Sequence, residues 1–166
     1  VVVQKENNYA FIDTQNLICG VERLGWLVDF EKLHRYLTDK YRVTKAFLFI
    51  GYLESFKNTY VFLEKIGYIL CFKPVSDSVD GSIKANIDAD LVLRAVLEIN
   101  NYTGAVIVSG DGDFYSLVAH LKRVSKLRTV LCPDTGKCSY LLRIYAQGYL
   151  EGLEGKEKQI GRDGGK

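Results

Sequence analysis

Val106-Ile-Val-Ser-Gly-Asp-Gly-Asp-Phe-Tyr115 is the stretch on which the reading of this chain turns. The apolar run from Ala105 to Val108 has the composition of a strand buried on both faces, and it stops at Ser109-Gly110 with two aspartates, one residue apart, behind it. Gly and Asp are common turn residues, and Asp is a common helix N-cap, so a simple turn accounts for one acid. A cap needs only one Asp. The second suggests a site for a cation.

Outward from this turn, strand-like and helix-like segments alternate. Strands are expected at Tyr9 to Asp13, Lys45 to Tyr52, Tyr68 to Phe72, Ala105 to Ser109 and Thr129 to Cys132. A helix capped by Asp29 places Phe30, Leu33 and Leu37 on one face, and a second, Asn58 to Ile66, ends at Gly67. Asp88 to Ile99 has the spacing Leu91, Val92, Ala95, Val96, Ile99 of an amphipathic helix, and Phe114 to Val124 and Ser139 to Gln147 complete the helical set. Lys73 to Gly81 reads as a loop. Parallel strands need crossovers, and crossovers bring helices to both faces of the sheet, so the alternation predicts an α/β fold: a three-layer α/β/α sandwich around a mainly parallel sheet of about five strands. Residues 1–151 are expected to form this single domain. Residues 152–166, rich in glycine and charge, are expected to be a solvated tail.

Composition excludes several classes. At 166 residues, 48% hydrophobic and 25% charged, the chain has the balance of a soluble globular domain. It has no apolar run of transmembrane length and no signal-peptide pattern at its start, so no membrane contact and a cytoplasmic location are expected. Cys19, Cys71, Cys132 and Cys138 lack CxxC spacing and have only His34 and His120 as company, which argues against zinc and for reduced, packed thiols. Both histidines are expected to be structural.

In open α/β sheets, ligands bind beyond the carboxyl ends of the strands. Asp13 ends the first strand, and Asp111 and Asp113 follow the fourth, so three carboxylates distant in sequence are expected at one sheet edge. Such a cluster resists ionisation unless a cation neutralises it, and metal-free protein should hold at least one acid with a raised pKa. Carboxylate oxygens suit Mg2+ or Mn2+ and poorly suit zinc or copper. Asp88 and Asp90 begin the following helix about 200° apart, so one of the two is expected to join. Lys84 is a candidate for substrate phosphate, weighed against an ordinary solvated lysine. Tyr52, Phe56 and Tyr115 are weak candidates for stacking on bases, since aromatic residues are more often core.

Three motifs, Phe11-Ile-Asp-Thr-Gln-Asn-Leu17, Lys84-Ala-Asn-Ile-Asp-Ala-Asp-Leu91 and Val108-Ser-Gly-Asp-Gly-Asp-Phe114, occur in this order. As a set they resemble the NYN domain of the PIN-like nuclease superfamily, in its LabA-like branch, over roughly residues 8 to 150. The resemblance implies a Mg2+ or Mn2+ site served by Asp13, Asp88, Asp111 and Asp113, with Asn16 and Ser109 in support, and it favours Asp88 over Asp90. Ala85 departs from the glycine of many relatives, and Arg94 from a further acid.

The activity so implied is metal-dependent hydrolysis of a phosphodiester, most simply in single-stranded or structured RNA, with water made nucleophilic by the cation and no protein nucleophile required. With a net charge of +2, Lys84 and nearby polar groups rather than a broad basic surface are expected to receive the nucleic acid. Two other readings stand beside it. One is a non-catalytic RNA- or protein-binding module on the same fold. The other is a haloacid-dehalogenase-like phosphatase, disfavoured because Gln15 occupies the place of its second, titrating acid. Assembly into a homo-oligomer is left open.

Overall fold

The structure, a computed structural model, describes residues 5–73 and 87–164. Its centre is a parallel sheet of β1 (Asn8–Asp13), β2 (Val43–Gly51), β3 (Tyr68–Lys73), β4 (Ala105–Val108), β5 (Leu127–Cys132) and β6 (Leu150–Gly152). The strands lie in the order β3-β2-β1-β4-β5-β6, and every pairing is parallel. The helices are α1 (Thr14–Arg23), α2 (Phe30–Tyr41), α3 (Lys57–Ile66), α4 (Asp88–Leu97), α5 (Tyr115–Arg123), α6 (Tyr140–Tyr145) and α7 (Glu157–Ile160).

Side-chain alternation sorts the strands into two apolar faces. Tyr9, Phe11, Phe47, Phe49, Ile107 and Val130 point to one, where Leu91 and Ala95 of α4, Leu117 and Leu121 of α5 and Leu142 of α6 cover them. Ala10, Ile12, Leu48, Val106, Val108 and Leu131 point to the other, under Leu17 and Val21 of α1, Leu33 and Leu37 of α2 and Leu63 of α3. Burying a leucine, isoleucine or phenylalanine side chain stabilises by roughly 1.5–3 kcal/mol, so the two layers supply most of the driving force. Local signals agree with the packing. The Asp29 carboxylate accepts from the amides of Glu31 and Lys32, each at 3.0 Å, and Gly67 ends α3 at a φ of 118°.

The expected α/β sandwich is therefore present, with six strands among the described residues. The additional elements are α1, which follows Asp13 without a break, and β6 and α7 in the C-terminal segment. That segment corrects the expectation of a solvated tail. Leu153 and Ile160 are both fully buried, the Ile160 carbonyl accepts from the Asp29 amide at 2.8 Å, and Lys32 pairs with Asp163 at 2.6 Å. Two apolar side chains among many glycines and charges suffice to close the ends of β5 and α2.

Strand order reverses between β1 and β4: the chain runs outward from β1 through β2 to β3, then returns to β4 and runs outward to β6. The carboxyl ends of β1 and β4 therefore lie at the point of reversal, the usual place for a ligand in such a sheet.

If the C-terminal segment is part of the core, Leu153→Ala should cost about 2–5 kcal/mol in urea denaturation. Leu97→Ala, at a position 68% exposed, should stay within about 0.5 kcal/mol. Equal and small effects would return the segment to solvent.

Candidate metal centre

Asp13 is both the last residue of β1 and the N-cap of α1. Its Oδ1 accepts from the Asn16 amide at 3.1 Å, and its Oδ2 accepts from the Ser109 hydroxyl at 3.2 Å. The Ser109 oxygen in turn accepts from the Asp111 amide at 3.1 Å, and Asn16 Oδ1 accepts from the Gly110 amide at 2.8 Å. Two side chains from the β1 end and one from the β4 end thus stitch the strand termini together and hold the turn after β4.

That turn delivers the two aspartates. Asp111 caps a 3-10 turn over Gly112–Phe114 by accepting from the Asp113 amide at 3.0 Å, and α5 follows at once. Neither Gly110 nor Gly112 adopts a positive φ, so their role is space rather than backbone freedom. A Cβ on Gly110 would stand 2.9 Å from Cys132 Sγ, and one on Gly112 would stand 2.4 Å from Ser139 Oγ.

Asp88, at the start of α4, completes the group. One carboxylate oxygen from each of Asp88, Asp111 and Asp113 lies within 4.8 Å of the others. Opposite oxygens in an octahedral Mg2+ shell are about 4.2 Å apart, so small side-chain adjustments would let the three share a hard cation, and an all-carboxylate donor set is the kind such an ion prefers. Asp13 is not one of this mutually close set. It lies behind it, only 5% exposed, within reach of the charges on Asp88 and Asp111.

The electrostatics follow from this layering. Burial pushes the Asp13 carboxyl up to about 6, against the opposing hydrogen bonds from Asn16 and Ser109, and the charges of Asp88 and Asp111 push the same way. Asp88 is also raised, first by burial and then by Asp111 and Asp113, with Lys73 acting in the opposite sense. A divalent cation would relieve both.

Asp90 does not join the close set; it is paired with Lys73 at 4.0 Å. Arg94 pairs with Glu98 at 3.6 Å and lies over the Phe47 ring. Lys84 and Ala85 lie outside the described residues. His34 packs edge-on against Tyr68, and burial lowers its pKa. His120 lies 3.1 Å from the Arg123 guanidinium. Two further residues at the site went unnoticed in the sequence. Lys73, at the end of β3, carries a charge felt by Asp88, and no motif marks it. Thr14 Oγ1 is buried beside Asp13 without a hydrogen-bond partner among the described residues, which is the kind of group a bound water or ligand would satisfy. Its position directly after the strand-end acid was the available signal.

The family model for the NYN domain matches residues 9–151. The chain is 24% identical to the low amplitude and bright protein LabA of Synechococcus elongatus, across 85% of this chain and 81% of that protein. It also superposes on the crystal structure of a Vibrio parahaemolyticus protein of unknown function with a TM-score of 0.78 at 21% identity, covering 98% of this chain and 99% of the other.

The raised carboxyl of Asp13 sets a pH dependence. Its folded pKa, about 6, exceeds the ordinary 3.8, so the folded state binds more protons between these values. This contribution to stability is fully present below the ordinary value and is lost as pH rises to about 6. In chelator, Asp13→Asn should flatten the loss between about pH 4 and pH 6, by an amount on the order of 1–3 kcal/mol. The amide can still accept from Asn16 and donate to Ser109. A pH profile of unfolding identical to wild type would contradict the burial of this charge.

Proposed function

The chain belongs to the NYN domain family, a family of PIN-like nucleases, and on that premise we propose that it is a divalent-metal-dependent phosphodiesterase acting on RNA. The observation that carries this reading is the convergence of Asp88, Asp111 and Asp113 within 4.8 Å, at the edge where the strand order reverses. Asp88, Asp111 and Asp113 would hold a Mg2+ or Mn2+ ion, with Asp13 behind them as a fourth acid.

When bound, such an ion acidifies water and offsets negative charge on the phosphodiester. The protein's own residues supply position. Ser109 and Asn16 fix the turn so that Asp111 and Asp113 present their carboxylates outward. Asp13 adds negative charge beneath the site without itself reaching the exposed rim, which strengthens the attraction for a cation while the solvent-facing oxygens stay available. Lys73, at the same edge, offers a positive charge for a phosphate.

Mn2+ or Mg2+ should raise the melting temperature by binding the folded state preferentially. Asp111→Asn should abolish that increase and slightly stabilise the metal-free chain. Cleavage of labelled single-stranded RNA should require the ion and fall more than about a hundredfold in Asp113→Asn, because loss of even an outer partner of a metal ligand costs about 10–100-fold. Metal binding without cleavage by the wild-type protein would identify a non-catalytic binding module instead.

A further inference from the structure

Two of the four cysteines meet against the turn that carries Asp111 and Asp113. Cys132 is the last residue of β5, and Cys138 directly precedes Ser139, the N-cap of α6. The chain between them folds back so that its ends touch. Pro133 packs against Gly20 of α1, Asp134 accepts from the Gly136 amide at 3.0 Å, and a 3-10 turn over Thr135–Lys137 lets the Cys138 amide donate to the Thr135 carbonyl at 3.3 Å. The Cys132 thiol then has two acceptors in reach, the Asp134 carbonyl at 3.3 Å and the Cys138 sulfur.

Direct contact joins the pair to the acidic turn. A Cβ on Gly110 would stand 2.9 Å from Cys132 Sγ and 3.7 Å from the Cys138 α-carbon, so both cysteines press on the residue between Ser109 and Asp111. The Ser139 amide, next to Cys138, donates to the Gly110 carbonyl at 3.0 Å. Cys138 is 4% exposed and Cys132 fully buried, so a small oxidant meets Cys138 first. The Arg143 guanidinium donates to the Cys138 carbonyl at 3.2 Å. The hydrogen bond from Cys132 holds the Cys138 thiol below its ordinary pKa against the effect of burial, and the Arg143 charge acts the same way. The same hydrogen bond, with burial, pushes Cys132 up. A thiol with thiolate character beside a second, protonated thiol is the arrangement of a reactive cysteine and its resolving partner.

We propose that Cys132 and Cys138 are a peroxide-oxidised dithiol whose reversible disulfide repositions Gly110, and with it the turn that bears Asp111 and Asp113. The Cys138 thiolate attacks one oxygen of hydrogen peroxide, the O–O bond breaks, and the departing hydroxide takes up a proton to leave as water, with a sulfenic acid remaining on Cys138. Cys132 gives up its proton and attacks that sulfur, the S–O bond breaks, and a second water leaves. Two thiols and one peroxide thus become one disulfide and two waters, and a thiol reductant restores the pair. A disulfide brings its sulfurs to about 2.0 Å, well inside a hydrogen-bonded contact, so Cys132 Sγ must shift from its seat on Gly110. The pair touches the turn whether or not a cation is bound, so the device is separate from the phosphodiesterase reading.

The test treats the full chain, in chelator, with one equivalent of hydrogen peroxide, blocks the remaining thiols and digests with trypsin in the absence of reductant. Cleavage after Arg128, Lys137 and Arg143 separates the two cysteines, so the disulfide appears as peptides 129–137 and 138–143 joined, and dithiothreitol should part them. Two of the four thiols should be lost from this pair, although Cys19 and Cys71 are less buried. In Cys132→Ala, oxidation should stop at a Cys138 sulfenic acid that dimedone captures. In proton–nitrogen correlation spectra of the wild type, the amides of Gly110 to Asp113 should shift on oxidation while those of β3 stay in place. If Cys132→Ala fails to fold, the wild-type digest and spectra decide alone. Peroxide consumed at Cys19 or Cys71 with the two peptides unjoined overturns the dithiol. Joined peptides with unmoved Gly110 to Asp113 amides overturn its hold on the turn.

Discussion

Parallel pairing of β1 with β4 brings two strand ends, almost a hundred residues apart in the chain, side by side at one edge of the sheet, and the hydrogen bond from Ser109 to Asp13 locks them there. Each acid reaches the site by way of that pairing. Asp13 is the end of one strand, Asp111 and Asp113 lie in the turn after the other, and Asp88 begins the helix that covers the face where Phe11 and Ile107 pack. A shift of one residue in the β1–β4 register would turn Asp13 and Ser109 to opposite faces and separate them.

The resulting arrangement is costly without a counter-charge. Asp13 and Asp88 both have raised carboxyls, and in both burial leads and neighbouring acids add to it. Hydrogen bonds from Asn16 and Ser109 only partly offset this at Asp13. A cation bound by these acids would offset that cost, which is why cation binding and stability are expected to be linked.

Much of this was legible in the sequence because strong signals coincided. Apolar runs ended by Asp or Ser-Gly gave away β1 and β4, and Asp29 and Gly67 marked helix ends by ordinary capping chemistry. The arrival of acids at one edge followed from parallel topology. Other features were hidden for physical reasons. In α1, Gly20 interrupts the helical pattern because a Cβ there would stand 2.4 Å from Pro133, a long-range constraint that local propensity does not register. In the C-terminal segment, Leu153 and Ile160 are too few to form a periodic pattern, although both are fully buried. The set-back of Asp13 behind the other three acids, and the position of Lys73, depend on strand register and become visible only in three dimensions.

On the proposed reading Asp88, Asp111 and Asp113 share one divalent cation. Crystals soaked in Mn2+ and measured near the manganese absorption edge test it without reference to any substrate. A single strong anomalous peak per chain is expected among these three carboxylates. No peak there, or one held by other residues, would contradict it.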